Sequence, residues 1–155
     1  MPAFETDFWR ENAARKIWDD IVPGEARPTV PYLLTLEAIH KYCRAVGDLH
    51  PLYFDEAYAK KSRFGGLIAP PAIHILLMFA CTPADDWMRS PGTVNAGQSW
   101  SYSIPARPGD TITLSARALD KFIKNQRLFV VHDNVFVNQR DEVICCGRGW
   151  TIRPM

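Results

Sequence analysis

The stretch from Leu67 to Ala84, LIAPPAIHILLMFACTPA, constrains this chain more than any other. Its inner part, AIHILLMFAC, is apolar on nearly every side of a helix, and a helix without a polar face has to be enclosed by other elements. Pro70, Pro71, His74 and Pro83 interrupt the stretch too often for a membrane span. Pro71 suits the first turn of a helix over about 71–82, because proline lacks an N–H where none is needed. The enclosure has to come from the C-terminal part of the chain. After about residue 92, β-branched and aromatic residues alternate with polar ones: Trp100, Tyr102 and Ile104, then Ile112, Leu114 and Ala116. Two longer runs, Leu128–Val137 and Val143–Ile152, are separated by a tight Gln139–Glu142 connection, and Pro108-Gly109-Asp110 is a further turn signal. One apolar helix followed by successive strands predicts an α+β domain whose antiparallel sheet wraps the helix.

The first half reads as helices and turns. Residues 7–20 form a candidate helix with Phe8, Ile17 and Trp18 as its apolar members. Pro23, Gly24, Pro28 and Pro31 then make a connector, so that about residues 1–30 form an N-terminal extension. Thr35 is placed to cap a helix over 36–46 with Leu36, Ile39, Cys43 and Val46 on one face, and Gly47 ends it. Asp55 can cap a second helix over 56–62, closed by Gly65-Gly66. The 155 residues suit one domain, 1–155, large enough to need no staple. Eighteen Lys and Arg against 17 Asp and Glu leave a net charge of +1, which gives no support to a nucleic-acid partner. Cys43, Cys81, Cys145 and Cys146 form no CxxC pair, so no metal site is expected. The N-terminus MPAFETDFWRENAARK lacks the apolar region of a signal peptide. A cytoplasmic protein with reduced thiols and no membrane association is the expectation.

Residues 46–71, VGDLHPLYFDEAYAKKSRFGGLIAPP, carry the chemistry. Gly47, Asp48, Pro51 and Leu52, then Phe64-Gly65-Gly66 and Ile68-Ala69, resemble the MaoC-like (R)-specific enoyl-thioester hydratases and dehydratases. That family's motifs are roughly G-D-x-N-P-(aliphatic)-H and F-G-G-x-I-A-H-G-M. Pro51-Leu52-Tyr53, Asp55-Glu56, Tyr58-Ala59, Ala69-Pro70-Pro71, Arg107-Pro108-Gly109-Asp110 and Phe129-Val130-Val131 look closer to one branch. It is the MaoC dehydratase N-terminal type, similar to the dehydratase region of fungal fatty-acid synthases. The resemblance covers about residues 30–153 and implies a hot-dog fold.

It also implies hydration of a 2-enoyl thioester, or dehydration of a 3-hydroxyacyl thioester. One group takes a proton from water, another protonates the α-carbon, and donors hold the developing enolate oxygen. Asp48 matches the family's Asp. Tyr53 stands where the family has His, His50 where it has Asn, and Pro71 where a glycine N–H supports the oxyanion. Asp48, His50 and Tyr53 are thus the candidate catalytic residues. Phe64, Gly65, Gly66, Pro71 and Ala72 are the candidate substrate-binding residues. No cofactor is implied beyond a coenzyme A or carrier-protein thioester as substrate.

The resemblance favours an acyl-binding subunit whose MaoC-like partner supplies the Asp/His pair, in a heterodimer. The alternative is a self-sufficient homodimeric hydratase using Asp48 with His50 or Tyr53. A hot-dog thioesterase and a non-enzymatic acyl-CoA-binding protein remain as further readings. Elsewhere His74 reads as a hydrogen-bonded core residue, and His40 and His132 have no partner motif. Cys145 and Cys146 read as buried thiols. Lys121, Lys124 and Arg127 form a basic cluster that is either a solvated loop or an attractor for phosphate or an acidic carrier.

Overall fold

Three of the strands that pack on the apolar helix are long, and their inward positions are mostly small or apolar. The structure is a computed structural model that describes residues 17–89 and 92–153. Its sheet is antiparallel and five-stranded, in the order β1-β3-β4-β5-β2. The strands are β1 (Tyr32–Leu33), β2 (Val94–Tyr102), β3 (Thr111–Lys124), β4 (Arg127–Val137) and β5 (Val143–Arg153). On β3 Ile112, Leu114, Ala116 and Ala118 face inward, and on β4 Leu128, Val130, His132, Asn134 and Phe136 do so. That concave face carries the core. The β3–β4 hairpin turns at Asn125 and Gln126, whose φ values of 51° and 57° give the twist that two long strands need.

The helices are α1 (Ile17–Asp20), α2 (Leu36–Val46), α3 (Pro51–Phe54), α4 (Glu56–Lys61) and α5 (His74–Ala80). Thr35 caps α2 by accepting from the Ala38 N–H, and Gly47 ends it at φ 75°. Asp55 caps α4 through the Tyr58 N–H. The α3 turn is an addition to the expected elements; His50 caps it, its Nδ1 accepting from the Leu52 N–H at 3.2 Å. The candidate helix at 7–20 is seen only as α1, and Phe8 lies outside the described residues.

The central helix departs from expectation in two ways. It opens as a 3₁₀ turn, Pro71–Ile73, because Pro70 and Pro71 leave only an i→i+3 bond from the Ile73 N–H to the Pro70 carbonyl. Seven residues of α-helix follow, and Pro83 stops them near Cys81. Nor is the helix enclosed all round. His74 and Leu77 are buried, whereas Ile75 and Phe79 are 45% and 54% exposed. The strands also reach further than expected: β2 starts at Val94, and β3 continues eight residues past Ala116.

Candidate functional site

Two separate groups of side chains stand out. The first comes from the segment 47–58. Gly47 turns the chain out of α2, and the Asp48 N–H donates to the Cys43 carbonyl at 3.0 Å. Asp48 is exposed, and Tyr53 is buried close enough to it for the carboxylate charge to act on the phenol. Burial first, and then the Asp48 charge, push the Tyr53 phenol above its ordinary 10.0. Asp48 and Tyr53 therefore lie near one another at the end of α2. His50 is exposed, its Nδ1 bonded to the Leu52 N–H and its ring 5.7 Å from that of Tyr53. His40, the other histidine of this region, stacks on Phe54 and bonds the Tyr53 carbonyl at 2.9 Å.

The binding candidates are held by neighbours. Arg107 reaches from the turn before β3 to donate to the Phe64 carbonyl at 2.6 Å, fixing the loop in which Gly65 has φ 67°. Pro71 stands in the first turn without an N–H, so Ala72 supplies the first donor there. The Ala72 carbonyl accepts from the Tyr42 hydroxyl at 2.8 Å. Tyr42 ties α2 to the central helix and does not stand out in the sequence, where it is one tyrosine among the apolar positions of α2.

The second group lies between α5 and the sheet, around a cavity of about 330 Å³. Its walls include His74, Met78 and Phe79 from the helix, Trp100 from β2, His132 from β4, and Gly149 and Thr151 from β5. None of the candidate residues in segment 47–72 lines it. The glycines of β5 explain how rings fit on this face. A Cβ on Gly149 would stand 2.5 Å from the His132 ring, and one on Gly147 would stand 2.4 Å from the Trp100 ring. Both rings pack directly against bare backbone.

His132 is the most perturbed histidine of the site. Its pKa falls from 6.5 to about 4, mainly by burial and then by the charges of Arg27 and Arg153. Those two guanidinium groups both lie over the Trp87 ring, at 4.7 and 4.5 Å from its centroid. Arg27 is paired with buried Asp86 at 2.6 Å, and Arg153 donates to the Trp87 carbonyl and to Thr93 Oγ1. His74 is lowered too, chiefly by burial; its Nδ1 bonds the Pro71 carbonyl at 3.1 Å and the Tyr102 hydroxyl at 3.2 Å. Its reading as a hydrogen-bonded core residue holds for that nitrogen.

Sequence reasoning missed Thr151 and Asn134 and found no role for His132. The signal was polar residues at inward positions of otherwise apolar strands. It also placed both Cys145 and Cys146 inside. Adjacent strand residues face opposite sides, so Cys145 is buried, with its thiol pushed up to about 12, while Cys146 faces solvent. Of the basic cluster, Lys121 donates to the Trp18 carbonyl and covers its ring at 4.2 Å, while Lys124 and Arg127 flank the β3–β4 turn. Among the described residues, no helix is long and apolar enough to cross a membrane, and no cluster of His, Cys, Asp or Glu could hold a metal ion.

Comparison with known proteins bears on this arrangement. A family model described as FAS1-like, dehydratase domain region, matches residues 22–146. A UPF0336 protein of Streptomyces avermitilis is 31% identical over 96 residues, 57% of this chain and 63% of that relative, so the match spans a little less than two thirds of its length. One from Streptomyces coelicolor is 32% identical over 118 residues, 68% of this chain and 77% of the relative. Among solved structures, the R-hydratase PhaJ1 of Pseudomonas aeruginosa superposes with TM-score 0.74 at 22% identity, over 88% of this chain and 84% of that one. A MaoC-like dehydratase of Rhodospirillum rubrum gives 0.73 at 24%, over 88% and 97%. A chain of the HadBC (3R-hydroxyacyl-ACP dehydratase) complex of Mycobacterium tuberculosis gives 0.69 at 20%, over 84% and 96%.

Proposed function

Because this chain belongs to the FAS1-like dehydratase-region family, a MaoC-type hydratase/dehydratase family with the hot-dog fold, we propose that it is the acyl-binding subunit of an acyl-thioester hydratase/dehydratase. The thioester is carried by coenzyme A or a carrier protein, and a MaoC-like partner supplies the catalytic pair. The observation that carries this reading is the neighbour of Asp48: a buried phenol, not an imidazole. A general base has to be deprotonated near neutral pH. A tyrosine held above 10.0 is protonated there, and the adjoining His50 has its Nδ1 engaged as a helix cap. Pro71 removes one backbone donor from the start of the central helix, and losing an oxyanion donor typically costs about 10²–10³ in rate. Both changes weaken chemistry while leaving an acyl cavity in place.

The exposed faces suit such a partner. Strand β2 lies at one edge of the sheet, and Ile75 and Phe79 stand open beside it. Some structural neighbours are named as two-component complexes, HadBC and ChsH1-ChsH2 of Mycobacterium tuberculosis among them. The second reading is a homodimeric enzyme in which the Tyr53 hydroxyl, close to the Asp48 charge, donates the proton. One assay separates the two: loss of the conjugated enoyl absorbance with purified protein across several acyl-CoA lengths. The isolated protein is expected to turn over slowly or not at all, and an added MaoC-like partner to restore activity. Ordinary turnover by the homomer, abolished by both Asp48→Asn and Tyr53→Phe, would establish the second reading.

A further inference from the structure

The cavity between α5 and the sheet is lined by apolar and polar side chains together, and three buried polar atoms in its lining have no partner. They are His74 Nε2, His132 Nε2 and Thr151 Oγ1, and the residues that carry them are 4%, 4% and 5% exposed. The other nitrogen of each ring fixes what these atoms offer. Asn134 Nδ2 donates to His132 Nδ1 at 2.8 Å, so in the neutral ring Nε2 bears the hydrogen and is a donor. His74 Nδ1 faces the Pro71 carbonyl, which can only accept, so Nδ1 bears the hydrogen and Nε2 is an acceptor. Burial keeps both imidazoles neutral, as their lowered pKa values require. Thr151 Oγ can do either. A donor, an acceptor and a hydroxyl thus belong to side chains that wall one chamber, with room for about eleven water-sized groups of roughly 30 Å³ each.

An unpaired buried polar group costs folding stability, and pairing it with a ligand recovers that cost on binding. We propose that this cavity takes an acyl chain bearing a hydroxyl group along its length, and that His74, His132 and Thr151 recognise that hydroxyl. The inference rests on the acyl-thioester reading and adds the substrate class. A hydroxyl matches the lining because it gives one hydrogen bond and accepts others. A plain alkyl chain would fill the same volume and leave all three atoms unpaired. The Gly149 backbone supports this use of the space, since it seats the His132 ring against the cavity wall.

The test is calorimetric titration of the full-length protein with octanoyl-CoA and with octanoyl-CoAs bearing one hydroxyl on each of carbons five to eight. At least one hydroxylated form is expected to bind about tenfold tighter than octanoyl-CoA. Thr151→Val and His132→Phe should each reduce that preference severalfold, read as the ratio of hydroxylated to plain affinity measured on the same variant. Thermal unfolding gives a second readout. Thr151→Val should hold or raise the melting temperature, because it removes an unpaired hydroxyl without changing shape. Equal binding of plain and hydroxylated chains overturns the proposal and leaves the acyl-thioester reading standing. A lowered melting temperature for Thr151→Val also overturns it, by making the hydroxyl a structural group. Failure of every acyl-CoA to bind removes the underlying reading and the proposal with it.

Discussion

Single residues set the pH behaviour of this molecule. His132 is ordinarily protonated below 6.5, but the fold resists its protonation down to about 4. Between those values the unfolded chain binds a proton that the folded chain refuses, so stability must fall as pH drops through that window. Above 6.5 both states are neutral and the effect vanishes. The full loss is about 3 kcal/mol, at roughly 1.4 kcal/mol for each pKa unit. His74 adds to it in the same direction. Urea unfolding at pH 7, 5.5 and 4.5 is expected to show a steeper decline in the wild type than in His132→Phe; parallel declines would contradict the assignment. Asp48 and Tyr53 were legible as a pair because they lie five residues apart in one motif. His74, His132 and Thr151 were not, because only strand register and helix docking bring them to one cavity.

Individual elements show where local signals suffice. Helix α2 was readable to the residue, since a threonine cap, a one-sided apolar stripe and a terminal glycine agree. The end of β3 was not readable: Phe122 and Ile123 are exposed, and the hairpin turns through Asn125 and Gln126 without a glycine. Four-residue α3 lacks the length for a periodic signal. In β5 the glycines at 147 and 149 look like weak points, yet each seats an aromatic ring from a neighbouring strand. Gly149→Ala would place a methyl 2.5 Å from His132. It should destabilise the β4–β5 pairing by about 1–3 kcal/mol, read as a lower urea midpoint. An unchanged midpoint would mean that the His132 ring moves aside freely.

At the scale of the whole molecule, the described residues of the hot-dog arrangement leave a long sheet edge at β2 and an open side of the central helix. Association is the expected remedy, with another copy or a related subunit. Sedimentation at micromolar concentration should show a dimer or larger species, alone or with a candidate partner, and Phe79→Glu should weaken it. A monomer under every condition would contradict this. The chamber between helix and sheet has unequal walls. On the sheet side stand a peptide backbone and an imidazole with no slack between them; on the helix side stands Met78, a thioether with several soft torsions. The sheet side acts as a fixed gauge and Met78 as an adjustable jaw. Changes in the girth of the accepted molecule therefore fall to the helix side, and a variant library aimed at new substrates belongs there.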